Sequence, residues 1–362
     1  MQYEGLKRPF EPNGRGLIDN VLRKGTPGRV YHMELFHDGE IREAIMERFE
    51  LGKDLDPNDP DFERWRFLAF QRFLGFDYVR ANIVVPNWGF KAAPTDDTAG
   101  LSRGERWYTD EHVGPITNWE EFEQYPWPDP RAPGLLTEIE WWAEHLPEDM
   151  CLLAGGLGHF CEFLTWIMGY ETLCFALYDQ RDLVKAISDR LCEYFRVVNG
   201  RVLTCERVEM IFPSDDMGFK GGTLISPDDT REFCLAGHKM TAQMAHDDGR
   251  PCILHSCGNL NEIIGDLVDD VGIDAKHSFE DTIEDVREVK KTYGRKIALI
   301  GGIDVDFLCR ADEGAIRKRV RETLDVCLDG GGYCLGSGNS VTNYIPLDNY
   351  LAMVDEGRLY GG

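Results

Sequence analysis

Eight short apolar runs, most of them followed by a stretch with helical spacing, constrain the fold of this chain more than any other feature. They fall at residues 30–36, 78–85, 151–155, 208–213, 251–255, 275–278, 297–300 and 333–336. Between them, at 41–49, 160–170, 182–205, 227–247, 260–271 and 313–328, apolar residues recur every three or four positions, which gathers them on one face of a helix. Ser226 and Pro227, followed by Asp228 and Asp229, have the order of a helix start: a capping hydroxyl, a proline, then acid in the first turn. Strands that alternate with helices need right-handed crossovers and so build a parallel sheet. Eight such units point to a closed (β/α)8 TIM barrel, an α/β fold. No strand is followed by a GxGxxG turn, which weakens the case for an open dinucleotide-binding sheet. The 362 residues read as a single domain over 1–362, with an N-terminal extension and an insertion at about 86–134. Within the insertion, 103–117 reads as a β-hairpin with Asp110 and Glu111 near its turn.

Charge narrows the partners. Acidic residues outnumber basic ones by 64 to 39, a net charge of −25. Such a surface repels phosphate backbones and anionic lipid, so neither nucleic acid nor a membrane is expected as a partner. No apolar run reaches transmembrane length, and the first residues lack the apolar stretch of a signal peptide. Eleven cysteines, an odd number without paired spacing, suit reduced thiols in the cytoplasm rather than a disulfide frame. A cytoplasmic enzyme is the expectation, with self-association left open.

In a barrel, chemistry gathers at the carboxyl ends of the strands. The polar residues there are Glu34, His37 and Asp38 after the first run, His159 and Glu162 after the third, and Asp215 and Asp216 after the fourth. The fifth run ends in His255, Ser256 and Cys257, the seventh in Asp304, and the eighth leads to Ser337 and Asn339. Side chains two apart on a strand point the same way, so His255 and Cys257 converge. Imidazole with thiolate is a zinc-preferring pair. Two ligands do not make a site, and a packed histidine beside a packed thiol is the alternative. Asp215 and Asp216 read either as a solvated turn with a helix cap or as functional carboxylates. Glu34 interrupts an apolar strand on its inward face, where a carboxylate needs a cation or a hydrogen-bonding ligand. The depth of Cys334 within its strand favours core packing.

Five segments carry a resemblance: GLGHFCEFLTWIMGYETLCFALYDQRDLV, SDDMGFKGGTLISPDDTREFC, ILHSCGNLNEIIGDLVDDVGIDA, IALIGGIDV and GGYCLGSGNSVTNYIPLDNYLAMVDEG. Together they are similar to the uroporphyrinogen decarboxylase superfamily, and within it to the cobalamin-dependent methyltransferases. The resemblance implies the same barrel. True decarboxylases carry an arginine-rich segment after the first strand and an aspartate late in the second strand region. Here those places read MELFHDGE, with Glu34 where a substrate arginine would stand, and ANIVVPNWG. Losing the arginines disfavours a polyanionic tetrapyrrole.

The methyltransferase relatives use the HxC pair as zinc ligands and add a cysteine after the last strand. Asn339 stands at that place here, so Glu34 or Cys334 is expected to complete the zinc site. The resemblance then implies the methyltransferase component of an O-demethylase. It would use zinc to demethylate a small methyl ether, aryl above all, and pass the methyl group to a corrinoid (cobalamin) on a partner protein. Asp215 or Asp216 would orient substrate or supply a proton, and Glu162 and Asn339 would contact substrate. Transfer from a methylcorrinoid to a thiol or folate is the alternative direction, and a metal-free decarboxylase-like barrel the alternative class.

Overall fold

The computed structural model describes residues 3–360. Its apolar runs form eight parallel strands: β1 (Tyr31–His32), β2 (Tyr78–Asn82), β3 (Cys151–Gly155), β4 (Val208–Phe212), β5 (Ile253–His255), β6 (Ala275–His277), β7 (Ala298–Ile300) and β8 (Tyr333–Leu335). β2, β3 and β4 pair in that order. A second ladder runs β5, β6, β7, β8, β1. Parallel bridges Ile211↔Cys252 and Ser214↔His255 join β4 to β5.

The seam between β1 and β2 is closed by side chains. The buried Tyr78 hydroxyl accepts from the Glu34 N–H and donates to the Glu34 carbonyl, each at 2.9 Å. Arg80 donates to the Leu35 carbonyl at 3.1 Å. The result is the (β/α)8 barrel implied by the alternation. Most strands are shorter than their apolar runs: β2, β4, β6 and β8 end early where the chain leaves the barrel wall to build loops, and β5 and β7 start late.

Strand residues are buried on both faces, as in any parallel sheet jacketed by helices. Leu152, Leu153, Met210, Phe212, Ile253 and Leu299 have no exposed surface. The helices Arg181–Leu203 and Ala236–Asp247 cover one side and are joined by a buried bond from Asn199 to Thr241 at 3.1 Å. Ser226 caps its helix as expected, accepting from Asp229 N at 3.1 Å. The helical spacing at 160–170 ends earlier than expected: Cys161–Met168 stops at Gly169, and a new helix, Tyr170–Asp179, follows.

The hairpin also differs from expectation. It pairs Ala92–Asp96 with Glu105–Thr109, so Asp110 and Glu111 follow the second strand instead of forming the turn. Asp97 organises the real turn: its carboxylate accepts the N–H of Ala99 at 3.2 Å and of Arg103 at 3.1 Å, and its carbonyl takes the Ser102 hydroxyl. No helix among the described residues is long and apolar enough to cross a membrane.

The seam gives the first test. Tyr78→Phe removes both bonds to the Glu34 backbone, and a loss of about 1–3 kcal/mol is expected in urea unfolding.

Candidate metal centre

The pairing of β4 with β5 continues past the strand ends. His255 N donates to the Pro213 carbonyl at 2.9 Å and Asp215 N to the His255 carbonyl at 3.0 Å. With Ser214 opposite His255, the same register two residues on sets Asp216 opposite Cys257. The two loops then cross at close range. A Cβ on Gly258 would stand 2.1 Å from the Gly218 carbonyl carbon, and the Gly258 φ of +82° is one that side chains resist. Ser256 pins the crossing by accepting from Met217 N at 3.2 Å. His255 Nε2 consequently lies 3.3 Å from Asp216 Oδ1, and Cys257 N donates to that same oxygen at 3.1 Å. The ligand atoms of Asp216, His255 and Cys257 all fall within 4.8 Å of one another.

His277, the register partner of His255 on β6, fixes the ring: the two Nδ1 atoms are 2.7 Å apart. In the ion-free site His255 Nε2 carries the proton that faces Asp216; moving the ring's proton to Nδ1, against His277, would free the Nε2 lone pair for a metal. Anchoring the second nitrogen in this way orients a ligating histidine. Burial lowers the pKa of both imidazoles, favouring neutral rings. Burial opposes charge on Asp216, yet His255 and Cys257 hold its carboxyl well below the ordinary range. Burial and then Asp216 push the Cys257 thiol up.

Imidazole, thiolate and carboxylate are the three ligand types of zinc, and three protein ligands with one open position mark a catalytic site. Bonds of about 2.0–2.3 Å in a tetrahedron put neighbouring ligands roughly 3.3–3.8 Å apart, so a small inward shift closes this group on an ion. The donor set fits. His255 and Asp216 face a cleft of about 430 Å³ at the barrel mouth, walled also by Arg80, Asn82, His159, Glu162, Ser214 and Asn339.

Residues 111–360, well over half the chain, match the uroporphyrinogen decarboxylase (URO-D) family. The chain belongs to that family. Among solved structures, a methyltransferase from Methanosarcina mazei is 18% identical, over 98% of this chain and 100% of that one, with a TM-score of 0.68. At that identity the likeness is one of fold. A protein described as a vitamin-B12-independent methionine synthase from Listeria monocytogenes is 11% identical, over 90% of this chain and 94% of that one. Its TM-score of 0.48 is too low to carry an argument. No curated protein matches the sequence.

In this URO-D barrel the residues singled out from the sequence separate. His255 and Cys257 lie together, but neither Glu34 nor Cys334, the expected third ligands, joins them. The Glu34 carboxyl accepts Ser337 N at 2.9 Å and lies 2.6 Å from the Ser337 hydroxyl. Cys334 is enclosed, its sulfur 3.5 Å from the Asn20 amide. Asp216, expected to serve substrate or a proton, is the residue that lies with them. Ser337 also donates to the Asn339 carbonyl at 2.7 Å. A hydroxyl has one proton, so a protonated Glu34 completes the chain of bonds. Burial pushes Glu34 from 4.5 up to about 8 against the pull of those Ser337 bonds.

Asp215 corrects another expectation. It is fully buried and turned away from the cleft, accepting the N–H groups of Cys161 and Glu162 at 2.9 Å each and His238 Nε2 at 2.7 Å. It seats the start of the helix Cys161–Met168 and does not line the cleft. Glu162 and Asn339 both line the cleft, and Glu162 lies 2.7 Å from His159 Nδ1. Arg80 and His277 were not singled out in the sequence; their only signal is a polar residue inside the apolar runs YVRAN and AKHS.

Metal analysis of purified variants should show metal lost in Asp216→Asn but kept in Glu34→Gln and Cys334→Ala. Glu34 also predicts a pH dependence. Between about pH 4.5 and 8 it binds more proton in the folded chain than in the unfolded one, so its contribution to stability falls as pH rises through that window. In Glu34→Gln this decline should vanish. Its stability at pH 8 relative to pH 5, by urea unfolding, should exceed the parent's by on the order of a few kcal/mol.

Proposed function

We propose that this URO-D family protein is a zinc-dependent methyltransferase that works with a separate corrinoid protein. It would demethylate a methyl ether, aryl above all, and deliver the methyl group to cob(I)alamin on that partner. The observation that carries this reading is the Asp216–His255–Cys257 group, set beside a cleft large enough for a small aromatic molecule. The fold shared with the Methanosarcina mazei methyltransferase agrees with it. Asp216, His255 and Cys257 would hold zinc, which supplies a Lewis acid for the ether oxygen, where negative charge develops as the methyl leaves. A carboxylate among the ligands makes a harder site than two thiolates would. That favours an oxygen over a thiol, and demethylation over transfer from a methylcorrinoid to a thiol or folate.

The chain's own residues do the rest. His277 keeps the His255 Nε2 directed at the site. Burial opposes charge on His159, but the Glu162 carboxylate outweighs it and raises the imidazole. His159 would therefore hold a proton for the departing oxygen, which would keep the electron pair of the broken O–CH3 bond once the partner's corrinoid had supplied the nucleophile that takes the methyl. Phe36 and Val85 are exposed at the cleft, and the hairpin exposes Trp107 and Tyr108. These give a docking partner apolar surface beside the open barrel mouth. In this reading 1–362 acts as one domain.

Anaerobic incubation of zinc-loaded protein with methoxylated arenes, following the methylcobalamin spectrum, tests the proposal. Aryl ethers should outrun alkyl ethers, because their leaving groups bear charge better. A corrinoid protein from the same organism should accept methyl at least about tenfold faster than free cob(I)alamin, since docking orients the acceptor. Phenol released with no corrinoid present would be hydrolysis, and would end the methyl-transfer reading.

A further inference from the structure

The amino end of the barrel, opposite the metal group, carries a second pocket, of about 540 Å³. Its walls come from the turn after the helix Gly14–Val21 and from the segments that lead into β7 and β8. Arg23, Lys290, Lys291 and Arg295 line it, with Val326 and the carboxylate of Asp329. Acidic residues outnumber basic ones by 64 to 39 in this chain, so a pocket where cations lead is against the trend. Nearby surface cations follow the trend and are paired: Lys24 with Asp19 at 2.9 Å, Lys291 with Glu288 at 2.6 Å and Lys296 with Asp269 at 2.8 Å. Arg23, Lys290 and Arg295 form no ion pair among the described residues.

Neutral groups hold these three charges, or nothing does. Arg23 donates to the main-chain carbonyls of Val21 at 3.1 Å and Asp274 at 3.0 Å. The Asp274 carboxylate is engaged elsewhere, by His246 and the Cys252 N–H. Lys290 donates to the Gly331 carbonyl. The exposed Arg295 makes no hydrogen bond among the described residues. Asp329 lies 3.5 Å from the Thr26 hydroxyl. The carbonyl ends of the helices Val286–Tyr293 and Glu313–Cys327 are close by, but each is worth only about half a charge.

The backbone is shaped to keep the cations together. Arg23 has a φ of +57°, a conformation that side chains resist. A Cβ on Gly332 would stand 2.6 Å from Arg23 Cγ, and one on Gly294 would stand 2.5 Å from Lys290 Cδ. The two glycines thus clear the paths of both side chains. Burial lowers the pKa of Arg23 and of Lys290, and at Lys290 the charge of Arg23 adds to the effect. Like charges held this close favour an anion between them. Both Arg23 bonds leave from Nη1, so Nε and Nη2, which share an edge of the guanidinium, remain free for two parallel bonds.

We propose that this pocket binds a small molecule bearing a diphosphate. Three cations meeting in one place suit a compact group with several negative charges, and the free Arg23 edge matches two phosphate oxygens. A diphosphate fills only part of the pocket, which leaves room for an organic portion beside Val326. The acidic remainder of the surface repels a long polyanion, so the ligand is small. The pocket shares no residue with the cleft at the metal group, and the proposal is independent of the methyl-ether reading.

Calorimetric titration of the full chain with pyrophosphate tests this, with inorganic phosphate and citrate for comparison. Pyrophosphate should bind at least about tenfold more tightly than either. Arg295→Ser, which has no partner to lose, and Lys290→Met should each weaken it about tenfold or more, with thermal melts checking the fold. Asp216→Asn should bind pyrophosphate as the parent does, because the metal group lies at the other end of the barrel. No binding by the parent protein at millimolar pyrophosphate overturns the inference, whether or not the variants fold. So does an affinity that persists in folded Arg295→Ser and Lys290→Met, or one lost in Asp216→Asn, which would put the anion on the metal. Citrate bound as tightly as pyrophosphate would mean selection by charge alone, and would overturn the diphosphate assignment.

Discussion

The bonds that carry β4 and β5 forward beyond their strand ends determine the rest of the site. They bring Asp216 into line with Cys257 while His255 is still held in the barrel wall. The crossing at Gly218 and Gly258 then locks both loops at a distance no side chain would tolerate. Three chemically different side chains able to hold a metal, from the ends of two neighbouring strands, thus meet without a long flexible loop. A site built this way is positioned by backbone hydrogen bonds, and its geometry is fixed before anything binds.

Adjacent aspartates take opposite tasks because they leave the strand in opposite directions. Asp215 turns into the protein and satisfies two helix N–H groups and His238. Asp216 turns to the cleft. The same division recurs across the barrel, where Tyr78 and Arg80 of β2 close the seam to the loop after β1 and Arg80 also faces the cleft. Structural and functional contacts share residues here, so changes at the site also carry stability costs.

The eight strands could be read from the sequence because buried parallel strands are apolar on both faces and stand out as runs. His255 and Cys257 could be read because their spacing converges in any strand. The third member could not. Whether Asp215 or Asp216 faces the cleft depends on the register between two strands some forty residues apart, which no local pattern encodes. Glu34 looked like a ligand because a carboxyl on an inward face needs a partner, and it has one in Ser337, three hundred residues later in the chain. The hairpin was misplaced because Asp97, not the Asp110–Glu111 pair, supplies the carboxylate that ties the turn. Arg80 is not legible in the sequence because a lone basic residue in a strand gives no local sign of the neighbours it bonds across the barrel.

The most direct test of the central claim is zinc K-edge X-ray absorption on the purified, zinc-loaded protein. The account predicts a single sulfur at about 2.3 Å, with the remaining scatterers nitrogen or oxygen at about 2.0–2.2 Å. It also predicts that Cys257→Ser removes the sulfur signal and Cys334→Ala does not. Two sulfurs, or none, or a sulfur that disappears with Cys334, would contradict a site made of Asp216, His255 and Cys257.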